Sequence, residues 1–138
     1  MKIKEQTIII WQEQYNREKT GRRTAELIPN LKERLKNKKL KSNYFLTQFL
    51  TGHGSFATYL QKYKITDNSS CRECGRAEDS PDHTFKECPN LSRIRKKHNL
   101  TEEDLRKCLQ EKESHERVNR FVREILKTKR EILDYVVQ

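Results

Sequence analysis

The sequence predicts an all-α fold, and three observations carry that expectation. Apolar residues recur at helical spacing through most of the chain, and no segment alternates apolar and polar residues with a period of two. Only 33% of residues are hydrophobic against 36% charged, so a core must come from amphipathic helices rather than buried strands. At 138 residues the chain has the size of one domain, or of a helical domain with a small satellite.

The opening helix is predicted from Ile3, Ile8, Ile9, Ile10, Trp11 and Tyr15, which lie close enough to form one broad apolar face before EKTGRR and Gly21 end it. A short helix after Pro29 places Leu31 and Leu35 inward. The run KERLKNKKLKS follows, densest in positive charge, with Lys36, Lys38, Lys39 and Lys41 as candidate phosphate contacts. Ser42 is the expected cap of a helix carrying Phe45, Leu46, Phe49 and Leu50, which TGHG breaks. A second helix with Phe56, Tyr59, Leu60 and Tyr63 completes a helical hairpin, its aromatic residues able to stack bases but at this helical spacing read as core. Beyond residue 90, LSRIRKKHNL predicts a short basic helix and Thr101 a cap for TEEDLRKCLQ. In the closing segment Val118, Phe121, Val122, Ile125, Leu126, Ile132, Leu133 and Val136 keep a period near 3.6 and predict one long helix.

Three of the four cysteines lie within eighteen residues, CRECGRAEDSPDHTFKEC, with a histidine among them. Cys71, Cys74, His83 and Cys88 read C-x2-C-x8-H-x4-C, three thiolates and an imidazole, which is a complete tetrahedral set for one structural zinc ion. Gly75 permits the tight turn after the cysteine pair, and Ser80 and Pro81 suit the start of a short helix bearing His83. The x4 spacing puts Cys88 about 140° off the face of His83 on an ideal α-helix, so Cys88 requires a loosened last turn. Phe85 is the one large apolar side chain between the ligands and should pack the segment against the helices. Without metal, residues 68–90 are expected to be disordered. The fold expected is therefore a small helical domain with an embedded CCHC zinc knuckle: residues 1–67 a basic helical region with the TGHG hairpin, 68–90 the zinc segment, and 91–138 helices packing back on the first region.

A deaminase-type zinc site would need His-x-Glu and Pro-Cys-x-x-Cys, and neither occurs. Nothing groups the carboxylates into a catalytic metal set, no nucleophile is paired with a base, and no glycine-rich phosphate loop is present. The chain is read as no enzyme. His53 is expected to serve local turn packing, and His98 and His115 to be solvated. With no long apolar stretch and no leader-type cleavage site, an intracellular protein, nuclear or cytoplasmic, without membrane partner or small-molecule substrate, is expected.

The net charge of +10 is uneven: residues 1–70 hold 14 basic against 6 acidic side chains, residues 71–100 hold 7 against 5, and residues 101–138 hold 9 against 9. This favours a polyanion, RNA or DNA, contacted by the Lys36–Lys41 run and by Arg93, Arg95, Lys96 and Lys97 beside the zinc segment. The alternative is a protein-interaction module in which zinc is purely architectural and residues 114–138 present an apolar helix face to a partner.

WQEQYNREKTGRRTAELIP, FLTQFLTGHGSFATYLQKYKI and CRECGRAEDSPDHTFKEC, in that order, resemble the C-terminal region of arthropod non-LTR retrotransposon polyproteins, downstream of their reverse transcriptase. The resemblance covers residues 10–100 closely and 101–138 loosely. It implies an accessory module that helps a polymerase hold RNA template or DNA target, with Cys71, Cys74, His83 and Cys88 matching the family's CCHC ligands. The polymerase acidic motif, the endonuclease and an RNase H carboxylate set are absent from this chain. Beginning with Met1 at this boundary, it is expected to be a fragment, a degraded copy or a host gene derived from such an element.

Overall fold

A computed structural model describes residues 3–37 and 41–137, the last four of these as backbone. The elements are α1 (Ile3–Arg17), α2 (Arg22–Leu27), α3 (Leu31–Lys36), α4 (Tyr44–Thr51), α5 (Ala57–Lys62), a π-helical turn (His83–Glu87), a 3₁₀ turn (Pro89–Leu91), α6 (Ser92–Lys97), α7 (Leu105–Cys108) and α8 (Lys112–Val137). Among the described residues there is no strand. Among the same residues a single antiparallel bridge, Ser70 to Glu78, is the only β-type pairing. The all-α expectation holds.

The core gathers around α4 and α8. Leu46, Phe49 and Leu50 of α4 meet Val118, Phe121, Val122, Ile125 and Leu126 of α8, with Leu91, Leu100, Leu105 and Leu109 closing the sides. Phe85 sits where the sequence places it, between Phe49 and Phe121, with its ring centre 6.0 Å from each. Burying large aromatic side chains this fully contributes about 1.5–3 kcal/mol each, which matters in a chain so poor in apolar residues. Ile132 and Leu133 are half-buried, and the side chain of Val136 lies outside those described. The apolar face of α8 is therefore used inside the domain.

Several boundaries differ from the sequence reading. Asn43, not Ser42, caps α4 by accepting from the Leu46 N–H at 2.9 Å, while Ser42 pairs with Thr47. Thr101 caps nothing. Asp104 starts α7 by accepting from the Arg106 N–H at 2.9 Å. Leu31 is buried as expected, but Leu35 faces solvent.

α1 departs most. None of its residues is buried, and Ile3, Ile9, Ile10 and Trp11 are exposed. Its inward side is built from Gln12 and Tyr15, which bond the turn before α3: Tyr15 donates to Ile28 O, and Gln12 both donates to Pro29 O and accepts from the Leu31 N–H. Helical geometry explains this, because Ile3 and Ile10 project almost opposite to Ile8 and Tyr15, so one face cannot hold them all. Among the described residues, no helix is long and apolar enough to cross a membrane.

Candidate metal centre and its surroundings

The segment from Ser69 to Cys88 is polar apart from Phe85, and backbone hydrogen bonds shape the loop that precedes that anchor. Asp79 N–H donates to Ser69 O and Cys71 N–H to Ala77 O, each at 2.7 Å, closing a short loop around the first two cysteines. Within it Gly75 N–H donates to Cys71 O, and Gly75 takes φ of 69°, a left-handed conformation that a side chain would strain. Nothing crowds the position where its Cβ would stand, so the backbone angle is the reason for glycine there.

The second half solves the x4 spacing. Ser80 Oγ accepts from the His83 N–H and starts the turn. From His83 to Glu87 the chain widens into a π-helical turn, closed by Cys88 N–H donating to His83 O at 2.7 Å. A π-turn accommodates one more residue than an α-turn, which swings Cys88 back toward the histidine side. Pro89 then prevents continuation of the ladder.

These two halves bring the donor atoms of Cys71, Cys74, His83 and Cys88 to within 4.8 Å of one another. Cys71 Sγ and Cys88 Sγ are 3.8 Å apart, and Cys74 Sγ and His83 Nε2 are 3.3 Å apart. Metal–sulfur bonds of about 2.3 Å in a tetrahedron give sulfur–sulfur edges of about 3.8 Å, so the spacing is compatible with a zinc site. With Nε2 turned to the thiols, buried His83 Nδ1 has no hydrogen-bond partner, but Glu87 Oε2 lies 3.6 Å away. A carboxylate on the outer nitrogen is the usual support of a metal-binding imidazole. These residues could hold a metal.

Electrostatics divide the thiols. Burial pushes Cys71 up to about 12 and raises Cys88, whereas the Arg76 backbone N–H, outweighing partial burial, and the His83 ring draw Cys74 down to about 7. Buried thiols of this kind become thiolates only beside a cation.

Around the cluster lies a buried ionic clamp that the sequence did not reveal. Lys129 of α8, only 5% exposed, donates to Asp79 Oδ1 at 2.6 Å and to both oxygens of Glu73 at 3.0 Å. Asp79 Oδ2 accepts from the Ala57 N–H at the start of α5, and Glu73 Oε2 lies 3.1 Å from Cys71 Sγ. Burial opposes both charges, but the ion pairs outweigh it: Lys129 is held above its ordinary value and Glu73 below. The metal loop, the hairpin and α8 thus meet at one ammonium. Two carboxylates that nothing in the sequence groups together here share an interior network.

Arg95 is the second residue whose role differs from expectation. It is 8% exposed, and its guanidinium donates to Thr84 O at 3.0 Å and to Cys88 O, tying α6 to the ligand turn. That removes it from the basic surface. Lys97 is exposed but bonds Glu124 at 3.0 Å, while Arg93, Lys96, Lys36 and Lys41 are exposed. Lys38 and Lys39 lie outside the described residues. His98 and His115 are not solvated. His98 Nε2 bonds Glu124 at 2.7 Å beside Phe121, and buried His115 donates from Nε2 to Lys41 O at 2.9 Å. Their burial could not be read locally, because their partners lie 26 and 74 residues away.

A Pol polyprotein of a type-1 retrotransposable element R1 from Popillia japonica is 40% identical over 55 residues, 40% of this chain. One from Nasonia vitripennis is 27% identical over 107 residues, 78% of the chain, and one from Bradysia coprophila is 29% identical over 93 residues, 67% of it. The homologues of this chain are R1 Pol polyproteins. The matched stretches span 22%, 25% and 9% of those three relatives, so the chain fits a fragment of such a polyprotein. No family model and no solved structure matches it. The R1 relationship accords with the resemblance read from the tryptophan helix, the TGHG hairpin and the cysteine segment.

Proposed function

We propose that the chain is a zinc-stabilised nucleic-acid-binding accessory module of retrotransposon origin, without catalytic activity of its own. The carrying observation is the donor set: four protein ligands converge, and Cys71, His83 and Cys88 are buried, the pattern of a closed structural ion rather than of one left open to substrate. Bound there, zinc supplies charge to hold the thiolates and cross-links a loop that has little apolar packing of its own. The chain's residues do the rest: Arg95 fastens the ligand turn and Lys129 fastens the loop to α8.

Contact with RNA or DNA is assigned to the positive surface outside the clamp, where Arg93 and Lys96 flank the knuckle and Lys36 and Lys41 flank the α3–α4 connection. The R1 relatives are named as Pol polyproteins, which supports a role beside nucleic acid. The rival reading, a partner-binding helix at residues 114–138, is less favoured because the apolar residues of α8 from Val118 to Leu126 are buried within the domain. Zinc stoichiometry paired with binding titrations across salt tests the proposal. One zinc per chain and an affinity whose logarithm falls by about 0.7–0.9 per phosphate contact with log salt are expected. No binding to single-stranded RNA or duplex DNA at low salt overturns it.

A further inference from the structure

The hairpin aromatic residues do not all enter the core. Phe56 and Leu60 are buried, but Tyr63 is 57% exposed and Tyr59 half-exposed along the uncovered side of the same broad face. There they form a row with the exposed ring of His53: His53 and Tyr59 stack with centres 4.6 Å apart and 27° between planes, and Tyr59 and Tyr63 follow at 4.8 Å. The TGHG turn presents His53. Gly52 ends α4 in a left-handed conformation, and a Cβ on Gly54 would stand 2.3 Å from Gln48 Oε1, so the histidine stands between two positions that favour glycine.

The stretch of sequence that builds this row carries charge of one sign only. From Arg34 to Thr66 the sequence contains no Asp or Glu, and Lys62 and Lys64 flank Tyr63. Lys62 Nζ lies 5.7 Å from the centre of the Tyr63 ring. Lys64 adopts φ of 59° as it closes the end of α5, a position where glycine would relieve strain and a lysine is retained at some cost. The row also adjoins the knuckle, since Thr58 of the same helix donates to Asp79 O at 2.9 Å.

We infer that His53, Tyr59 and Tyr63, with Lys62 and Lys64, form a stacking platform for the bases of single-stranded nucleic acid. The stacked His53 and Tyr59 rings, with the exposed Tyr63 ring tilted by 52° beside them, offer bases flat surfaces at little conformational cost, and adjacent lysines meet the phosphates. Paired bases in a duplex cannot use it. The inference rests on the proposed nucleic-acid function and assigns it a second surface, apart from Arg93 and Lys96.

The test measures binding of the zinc-loaded full chain to labelled oligoadenylate RNA, the matching single-stranded DNA and a duplex. Tyr63→Ala should weaken binding to one or both single strands at least about fivefold and leave duplex binding unchanged, whereas Tyr63→Phe retains it. Lys64→Gly should fold at least as stably as wild type while lowering the salt slope for single strands by about 0.7. If Tyr63→Ala and Lys64→Gly bind single strands like wild type while Arg93→Ala with Lys96→Ala weakens them, the platform is overturned and the function stands. Equal weakening toward duplex and single strands by Tyr63→Ala also overturns it, and no binding by wild type overturns both.

Discussion

Residues 3–17 and residues 69–97 invert the usual relation between hydrophobicity and burial. α1 carries four isoleucines and the only tryptophan, yet buries none of its residues. The cysteine segment and α6 are dominated by polar and charged side chains, yet bury Cys71, Asp79, His83, Thr84, Cys88 and Arg95. Burial here follows available partners. Of the buried polar groups near the knuckle, Asp79 and Arg95 meet bonding neighbours and Cys71, His83 and Cys88 share a metal-ligand arrangement, with Thr84 Oγ1 the exception, whereas the outer face of α1 meets no packed element among the described residues.

The contrast is tested most severely by removing the proposed zinc. Cys88→Ser, or chelation of zinc, should abolish metal binding and order in residues 68–97, because structural zinc contributes on the order of 10 kcal/mol to folding in small domains. Hydrogen exchange should then show that segment unprotected while the centre of α8 stays protected. Protection unchanged by chelation would mean that hydrogen bonds alone hold the loop.

Next in size is the clamp. Lys129→Met leaves Glu73 and Asp79 buried without a cation and should cost about 3–5 kcal/mol in urea denaturation. Combining it with Glu73→Gln and Asp79→Asn should recover part of that loss, since the penalty belongs to the unpaired charges. A loss under about 1 kcal/mol for Lys129→Met would show that water reaches the site.

A smaller effect is expected from Glu124, whose hydrogen bonds from His98 and Lys97 hold its carboxyl below the ordinary 4.5. A depressed carboxylate contributes stability that is present above about 4.5, the unfolded value, and lost as pH falls through its lower folded value. Glu124→Gln should therefore flatten that acid limb in a pH series of thermal melts and leave the slope at neutral pH alone. The smallest change is expected at α1, where Ile3→Gln with Ile10→Gln should shift stability by no more than about 0.5 kcal/mol. A larger loss would reveal a contact for that face.

The candidate ligand set was legible because metal chemistry restricts residue type and spacing so tightly. C-x2-C-x8-H-x4-C in a polar stretch has few other uses, and even the loosened turn before Cys88 followed from a helix angle. The long apolar period of α8 was equally plain. Lys129 was not, since a lysine at an interior position of an amphipathic helix looks the same in sequence whether carboxylates await it or not. Arg95 carried the same ambiguity within the basic run 93–97, and His115 within a polar stretch. Tyr59 and Tyr63 misled in the opposite direction, because their helical spacing with Phe56 and Leu60 describes a wide face of which only one side is covered.

The sequence by itself determined the helical class, the four candidate ligands and the uneven positive charge, all of which depend on residue type and short-range spacing. Only the tertiary structure decided which charges turn inward, which aromatic rings stay outside and which apolar face is left uncovered. Those outcomes depend on what lies across the interior from a side chain, as Asp79 and Glu73 lie opposite Lys129 from 50 and 56 residues away. Local sequence carries no record of that distance.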